Sequence, residues 1–132
     1  MSLVGKIWKN KEKNELNPTA FSELAQSLAI KISNDGGGLK GKLNKSSQLR
    51  KFYDTIFNLN QRVTVDNWNA ILAQLHRQLA LVHYAKGRKL VTDSFVRMMD
   101  ELIKAVEKPS DLQVITDFLE TFMAFYKECR PN

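Results

Sequence analysis

Apolar side chains recur along most of this chain at intervals of three and four residues, the spacing that lines one face of an α-helix. Phe21, Leu24, Leu28 and Ile32 form the first such stripe. Asn17-Pro18, just upstream, is a helix start, with an asparagine side chain able to cap and proline at the first helical position. The stripe stops at Asp35–Gly38, where three successive glycines carry too much backbone freedom to prolong a helix. A second helix is predicted from Ser47 to Leu59: Leu49, Phe52, Tyr53 and Ile56 fall on one side, and Ser47, Arg50, Lys51, Asp54 and Asn58 on the other. A third, over residues 66–86 with Asp66 as its cap, buries Trp68, Ile71, Leu72, Leu75, Leu79 and Val82. A fourth begins after Thr92 or Asp93, carries Phe95, Met99, Leu102, Ile103 and Val106, and is ended by Pro109. Ser110-x-x-Gln113 then has the form of a capping box, opening a fifth helix that runs to Glu128.

No segment sustains strand alternation. The one rival, Leu28–Ser33, alternates Ile30 and Ile32 against Lys31 and is kept as helix. The expected fold class is therefore all-α, a compact bundle of about five helices. Residues 17–132 form a single domain, and residues 1–16 a flexible basic N-terminal arm. Two of the helices are more apolar than one buried face requires. On the third, Ala70, Ala73, Leu81 and Tyr84 line the side away from the Trp68–Leu79 stripe. On the fifth, Val114, Ile115, Phe118, Leu119, Phe122, Met123, Phe125 and Tyr126 cover about half the circumference. Either such helices are central in the bundle or a partner covers the surplus.

Composition narrows the setting. At 132 residues, 43% hydrophobic and 26% charged, the chain reads as one ordinary globular domain. Its apolar runs, such as Leu79–Val82, fall far short of the ~20 residues that cross a bilayer. The lone cysteine, Cys129, permits no internal disulfide, and the expectation is a soluble cytoplasmic protein with no membrane partner. The charge is lopsided. Residues 1–51 hold ten Lys/Arg against four acids, so the entire net charge of +6 lies there; the other 81 residues carry ten of each sign. Such a basic region fits an anionic partner, or else a solubilising tail.

Catalytic patterns are weak. Gly36-Gly37-Gly38-Leu39-Lys40-Gly41-Lys42-Leu43 approaches the phosphate-binding loop G-x-x-x-x-G-K-[ST], but Leu43 replaces the magnesium-holding hydroxyl and no strand leads in. A flexible basic linker explains it better. His76 and His83 stand seven residues apart on one helix, ~10 Å along its axis, too far to share a metal. They read as structural histidines at the edge of the apolar stripe, and Cys129 as a packing or surface thiol. The acids are scattered singly, with no nucleophile–base pair. No catalytic residue, metal or cofactor is assigned.

Two basic clusters remain. Lys40, Lys42, Lys45, Arg50 and Lys51 run from the glycine-rich stretch into the second helix, where free backbone amides suit phosphate oxygens. Tyr84-Ala85-Lys86-Gly87-Arg88-Lys89 closes the third helix; there, complementing the helix dipole explains the cations equally well. Together with Ser46-Ser47-Gln48-Leu49-Arg50-Lys51-Phe52-Tyr53 and the aromatic stretch Phe118–Tyr126, this order of blocks over about residues 43–127 resembles the small helical subunit of the type III-A CRISPR–Cas (Csm) effector complex. The resemblance implies a non-catalytic protein that stacks on copies of itself as a short filament beside the other subunits. It would contact the guide RNA–target RNA duplex there without reading its sequence. It implies Arg50 and Lys51 as contacts to target-strand phosphates, with Lys45, Arg77 and Arg88 as further RNA-binding candidates. Against this stand a helical protein–protein adaptor that uses the surplus apolar faces, and a nucleotide-dependent enzyme that uses Gly36–Lys42. A DNA-binding helix pair is weaker, because no helix is rich in base-reading side chains.

Overall fold

The computed structural model describes residues 2–131. It is a bundle of α-helices with one small hairpin: α1 (Leu3–Ile7), β1 (Trp8–Asn10), β2 (Glu15–Leu16), α2 (Glu23–Asp35), α3 (Ser46–Gln61), α4 (Trp68–Gly87), α5 (Asp93–Lys104) and α6 (Pro109–Cys129). The five long helices are the five predicted, and Leu28–Ser33 lies within α2.

Helix α6 is the axle. It packs against α2 on one side and α3 on another, and it buries ten residues, among them Leu112, Ile115, Phe118, Leu119, Phe122 and Tyr126. Phe21 meets Phe118 edge-on at 6.1 Å, and Phe122 stacks on Tyr126 at 5.3 Å, so aromatic contacts run along its length. Helix α4 packs on α5 and α3 at the edge of the bundle, burying only Ile71, Leu75, Val82 and Ala85.

The ends of the elements differ from expectation in instructive ways. The stretch expected as a basic arm carries α1 and an antiparallel hairpin that pairs Trp8 with Leu16. Leu3, Ile7 and Trp8 are buried there, a signal too short to register as a helical stripe. Lys11 joins the hairpin to the start of α6, its ammonium 2.7 Å from Glu107 and 3.0 Å from Asp111. Burial alone would lower its pKa, but the bonds to those carboxylates raise it.

Asn17-Pro18 opens a single 3-10 turn, Pro18–Phe21, before α2. The Asn17 side chain caps nothing there and donates instead to the Lys6 carbonyl. The N-cap of α4 is Asn67, not Asp66; its amide bridges the Arg62 carbonyl and the Thr64 amide, both at 2.7 Å. The expected Ser110/Gln113 box is displaced by Asp111. One buried carboxylate oxygen of Asp111 accepts from the backbone N–H groups of Glu107 and Lys108, so α6 begins at Pro109. Both histidines are exposed on α4, and His83 lies 3.4 Å from Asp100.

Candidate nucleic-acid interface

The geometry of the basic region is set by a knot of hydrogen bonds just before α3. Asn44 is fully buried in the left-handed region at φ 56°, a conformation asparagine tolerates better than most side chains. Its side-chain amide donates to the Ile32 carbonyl and to Thr92 Oγ1, and its side-chain oxygen accepts from the Thr92 N–H. Its own N–H donates to the Leu90 carbonyl, and its carbonyl accepts from the Tyr126 hydroxyl. Burial pushes that hydroxyl's pKa up to about 12, which keeps it a donor. One residue thus ties together the end of α2, the α4–α5 connection and α6.

The glycine-rich stretch is built to the same tightness. Gly37 and Gly38 have φ 104° and 73°, and Gly36 and Gly41 pack so closely that a Cβ on Gly41 would lie 2.0 Å from the Gly36 carbonyl oxygen. Buried Arg130 donates to the Leu43 carbonyl at 2.9 Å and the Gly41 carbonyl at 2.7 Å. This is a constrained turn, not the flexible linker expected. A helix, not a strand, leads into it, which removes the setting of a phosphate-binding loop.

From this base α3 runs alongside α4, and a groove of about 320 Å³ opens between them. Gln48, Lys51 and Thr55 line it from α3; Gln78, Leu81, Tyr84, Ala85 and Arg88 line it from α4 and its end. These positions recur at three and four residues, so one row of each helix faces the gap. Lys51 and Arg88, which come from the two clusters read in the sequence, meet on this groove. Lys45 is exposed at the N-cap of α3, and Arg50 and Arg77 are exposed on α3 and α4; none of the three lines the groove.

The end of α4 explains where Arg88 sits. Leu90 N–H bonds to the Ala85 carbonyl and Lys89 N–H to the Lys86 carbonyl, with Lys89 left-handed at φ 61°. This is a Schellman motif whose left-handed position is filled by lysine rather than by Gly87. It leaves the Arg88 guanidinium 5.9 Å from the Tyr84 ring centroid.

Not every cation is available. Lys86 pairs with Asp93, which also binds Arg97; the hydrogen bond from Lys86, then that from Arg97, holds the Asp93 carboxyl below its ordinary range. Lys31 pairs with Asp35. Among the described residues no carboxylate lies within ion-pairing distance of Lys45, Arg50, Lys51, Arg77 or Arg88.

The reading of the sequence missed the groove and the place in it of Gln48, Thr55, Gln78, Leu81 and Tyr84. Only the apolar surplus of the third predicted helix hinted at them. The groove offers cations for anionic oxygens, amides and a hydroxyl for polar edges, and an aromatic ring. No histidine, cysteine or carboxylate lines it. Cys129 sits away from it, its thiol pKa raised by burial and then by Glu128, which makes it a poor nucleophile. No group of metal-binding side chains, and no helix long and apolar enough to cross a membrane, occurs among the described residues.

Compared with known proteins, residues 22–132 match the sequence model of a family described as Csm2 Type III-A. That span takes in every element from α2 onward and all five candidate cations. No curated protein and no solved structure matches the chain.

Proposed function

The chain belongs to the Csm2 Type III-A family, a small subunit of type III-A CRISPR–Cas effector complexes, and from that premise we propose that it holds target RNA paired with guide RNA and catalyses nothing itself. The observation that carries this reading is cationic exposure without neutralisation. Lys45, Arg50, Lys51, Arg77 and Arg88 are all exposed and unpaired among the described residues, as are Lys40 and Lys42 just before α3, whereas Lys11, Lys31, Lys86 and Arg97 each have a carboxylate. Unpaired lysines and arginines release condensed counterions when they meet phosphates, and they do so whatever the base sequence. In an RNA-guided complex, base pairing supplies the specificity, so contacts indifferent to sequence are what a holding subunit needs. The proposal places the protein in the cytoplasm, among the other subunits of its complex and beside further copies of itself in a filament.

The test uses the reconstituted effector complex carrying Arg50→Ala and Lys51→Ala together. Both side chains face solvent, so the fold is expected to survive. Target RNA should bind more weakly, and the slope of log affinity against log salt should flatten by about 1.5 for each copy of the chain in the complex. An unchanged affinity and slope would remove this cluster from RNA holding. A second reading, a protein–protein adaptor, draws on Leu81 and Tyr84, which are 46% and 63% exposed on α4. Salt-independent assembly of complexes that recover no RNA would favour it.

A further inference from the structure

Phosphate contacts alone leave part of the α3–α4 groove unexplained. A duplex backbone needs cations, and the groove has Lys51 and Arg88 for it. It has no use for a tyrosine ring that is 63% exposed, or for the amides of Gln48 and Gln78 set on facing helices. Resting on the RNA-holding reading above, we propose that this groove is a site for one unpaired RNA nucleotide, with its base against Tyr84 and its phosphates on Lys51 and Arg88.

The chemistry of the walls matches each part of such a ligand. A base has an apolar face that stacks on an aromatic ring, and Tyr84 presents one at the groove's edge with the Arg88 guanidinium 5.9 Å from its centroid. A base also has polar edges, which amide side chains satisfy; Gln48 and Gln78 reach from opposite sides. Its sugar–phosphate carries negative charge, and the two cations are unpaired among the described residues. Phe52 and Leu90 add apolar side chains to the lining. At about 320 Å³ the groove falls at the small end of ligand sites, enough for a single residue of a strand rather than a helix of RNA. A paired base hides both faces in its stack, so only an unpaired nucleotide can use Tyr84.

The test takes the full chain at low salt with a short oligouridylate carrying one 5-iodouridine, and with a blunt RNA duplex of equal length. Binding is followed by fluorescence anisotropy, and photo-crosslinks are mapped by mass spectrometry. The expected results are a crosslink at Tyr84 and a loss on the order of 10-fold in single-strand affinity for Tyr84→Ala. Tyr84→Phe should keep that affinity, and the duplex should hardly respond to either change. If Tyr84→Ala binds the single strand like the parent while Lys51→Ala with Arg88→Ala does not, the groove holds phosphate only; the nucleotide site is then wrong and the RNA-holding reading stands. If neither variant matters, both ideas fail at this groove. A Tyr84→Ala chain that sediments differently but binds RNA unchanged would assign the ring to a protein neighbour and overturn the site.

Discussion

Helices α4 and α6 both carry more apolar residues than one buried face requires, and the fold treats them in opposite ways. Helix α6 lies between α2 and α3, so its surplus is covered: Phe118 and Phe122 are wholly buried, as is Tyr126. Helix α4 lies at the edge, with α5 and α3 on two sides, and Ala70, Ala73, Leu81 and Tyr84 remain exposed. The amount of apolar surface on a helix therefore states how much must be covered, and not what covers it. In α6 the cover is the chain's own core. In α4 it is left open, beside a groove whose walls are cationic.

The sharpest break of this comparison is a matched pair of truncations. Phe122→Ala should cost about 3–5 kcal/mol, because it empties a closed site between packed helices. Tyr84→Ala should stay within about 0.5 kcal/mol, because its ring already meets water. Urea unfolding of both variants measures the difference, and similar losses would mean that α4's face is structural. Next in size is Asn44→Ala, which strips buried partners from Thr92 and Ile32 while α6 keeps its own packing. A loss of about 2–3 kcal/mol is expected from the groups left unsatisfied. The smallest effect belongs to α4's end. Lys89→Gly relieves a left-handed lysine, and should stabilise by about 0.5 kcal/mol once glycine's greater unfolded freedom is set against the relief. A shift of the thermal midpoint downward would show that the Lys89 side chain makes a contribution the backbone geometry hides.

Much of this architecture is legible in the sequence. Long stripes such as Leu49–Phe52–Ile56 span several turns, so their period is unmistakable, and the five long helices follow from them. Helix starts were less secure, because several polar residues compete for each cap and tertiary contacts choose among them. Asp111 won over Ser110 because its carboxylate also faces Lys11, 100 residues away. The hairpin around Trp8 was invisible for the same reason: its apolar residues are few, and they count only once α1 has packed on α5. Lys51 and Arg88 were both singled out, yet nothing in the spacing said that they share a groove, since that depends on how α3 lies against α4. No pattern in the sequence marks Arg130, because its burial is a property of the turn it holds.

That last contact has a consequence for the order in which the protein takes shape. Arg130 bonds to carbonyls 87 and 89 residues earlier, and Tyr126 reaches back 82 residues to Asn44. While the chain is being synthesised, α2 and α3 leave the ribosome long before these anchors exist. The turn that aims the basic start of α3 stays unfixed until α6 has emerged and closed a loop of about two thirds of the sequence, a slow kind of contact to form. The basic surface at the start of α3 is thus set only after α6 has been made, and a chain released before Tyr126 and Arg130 would lack the anchors that aim it.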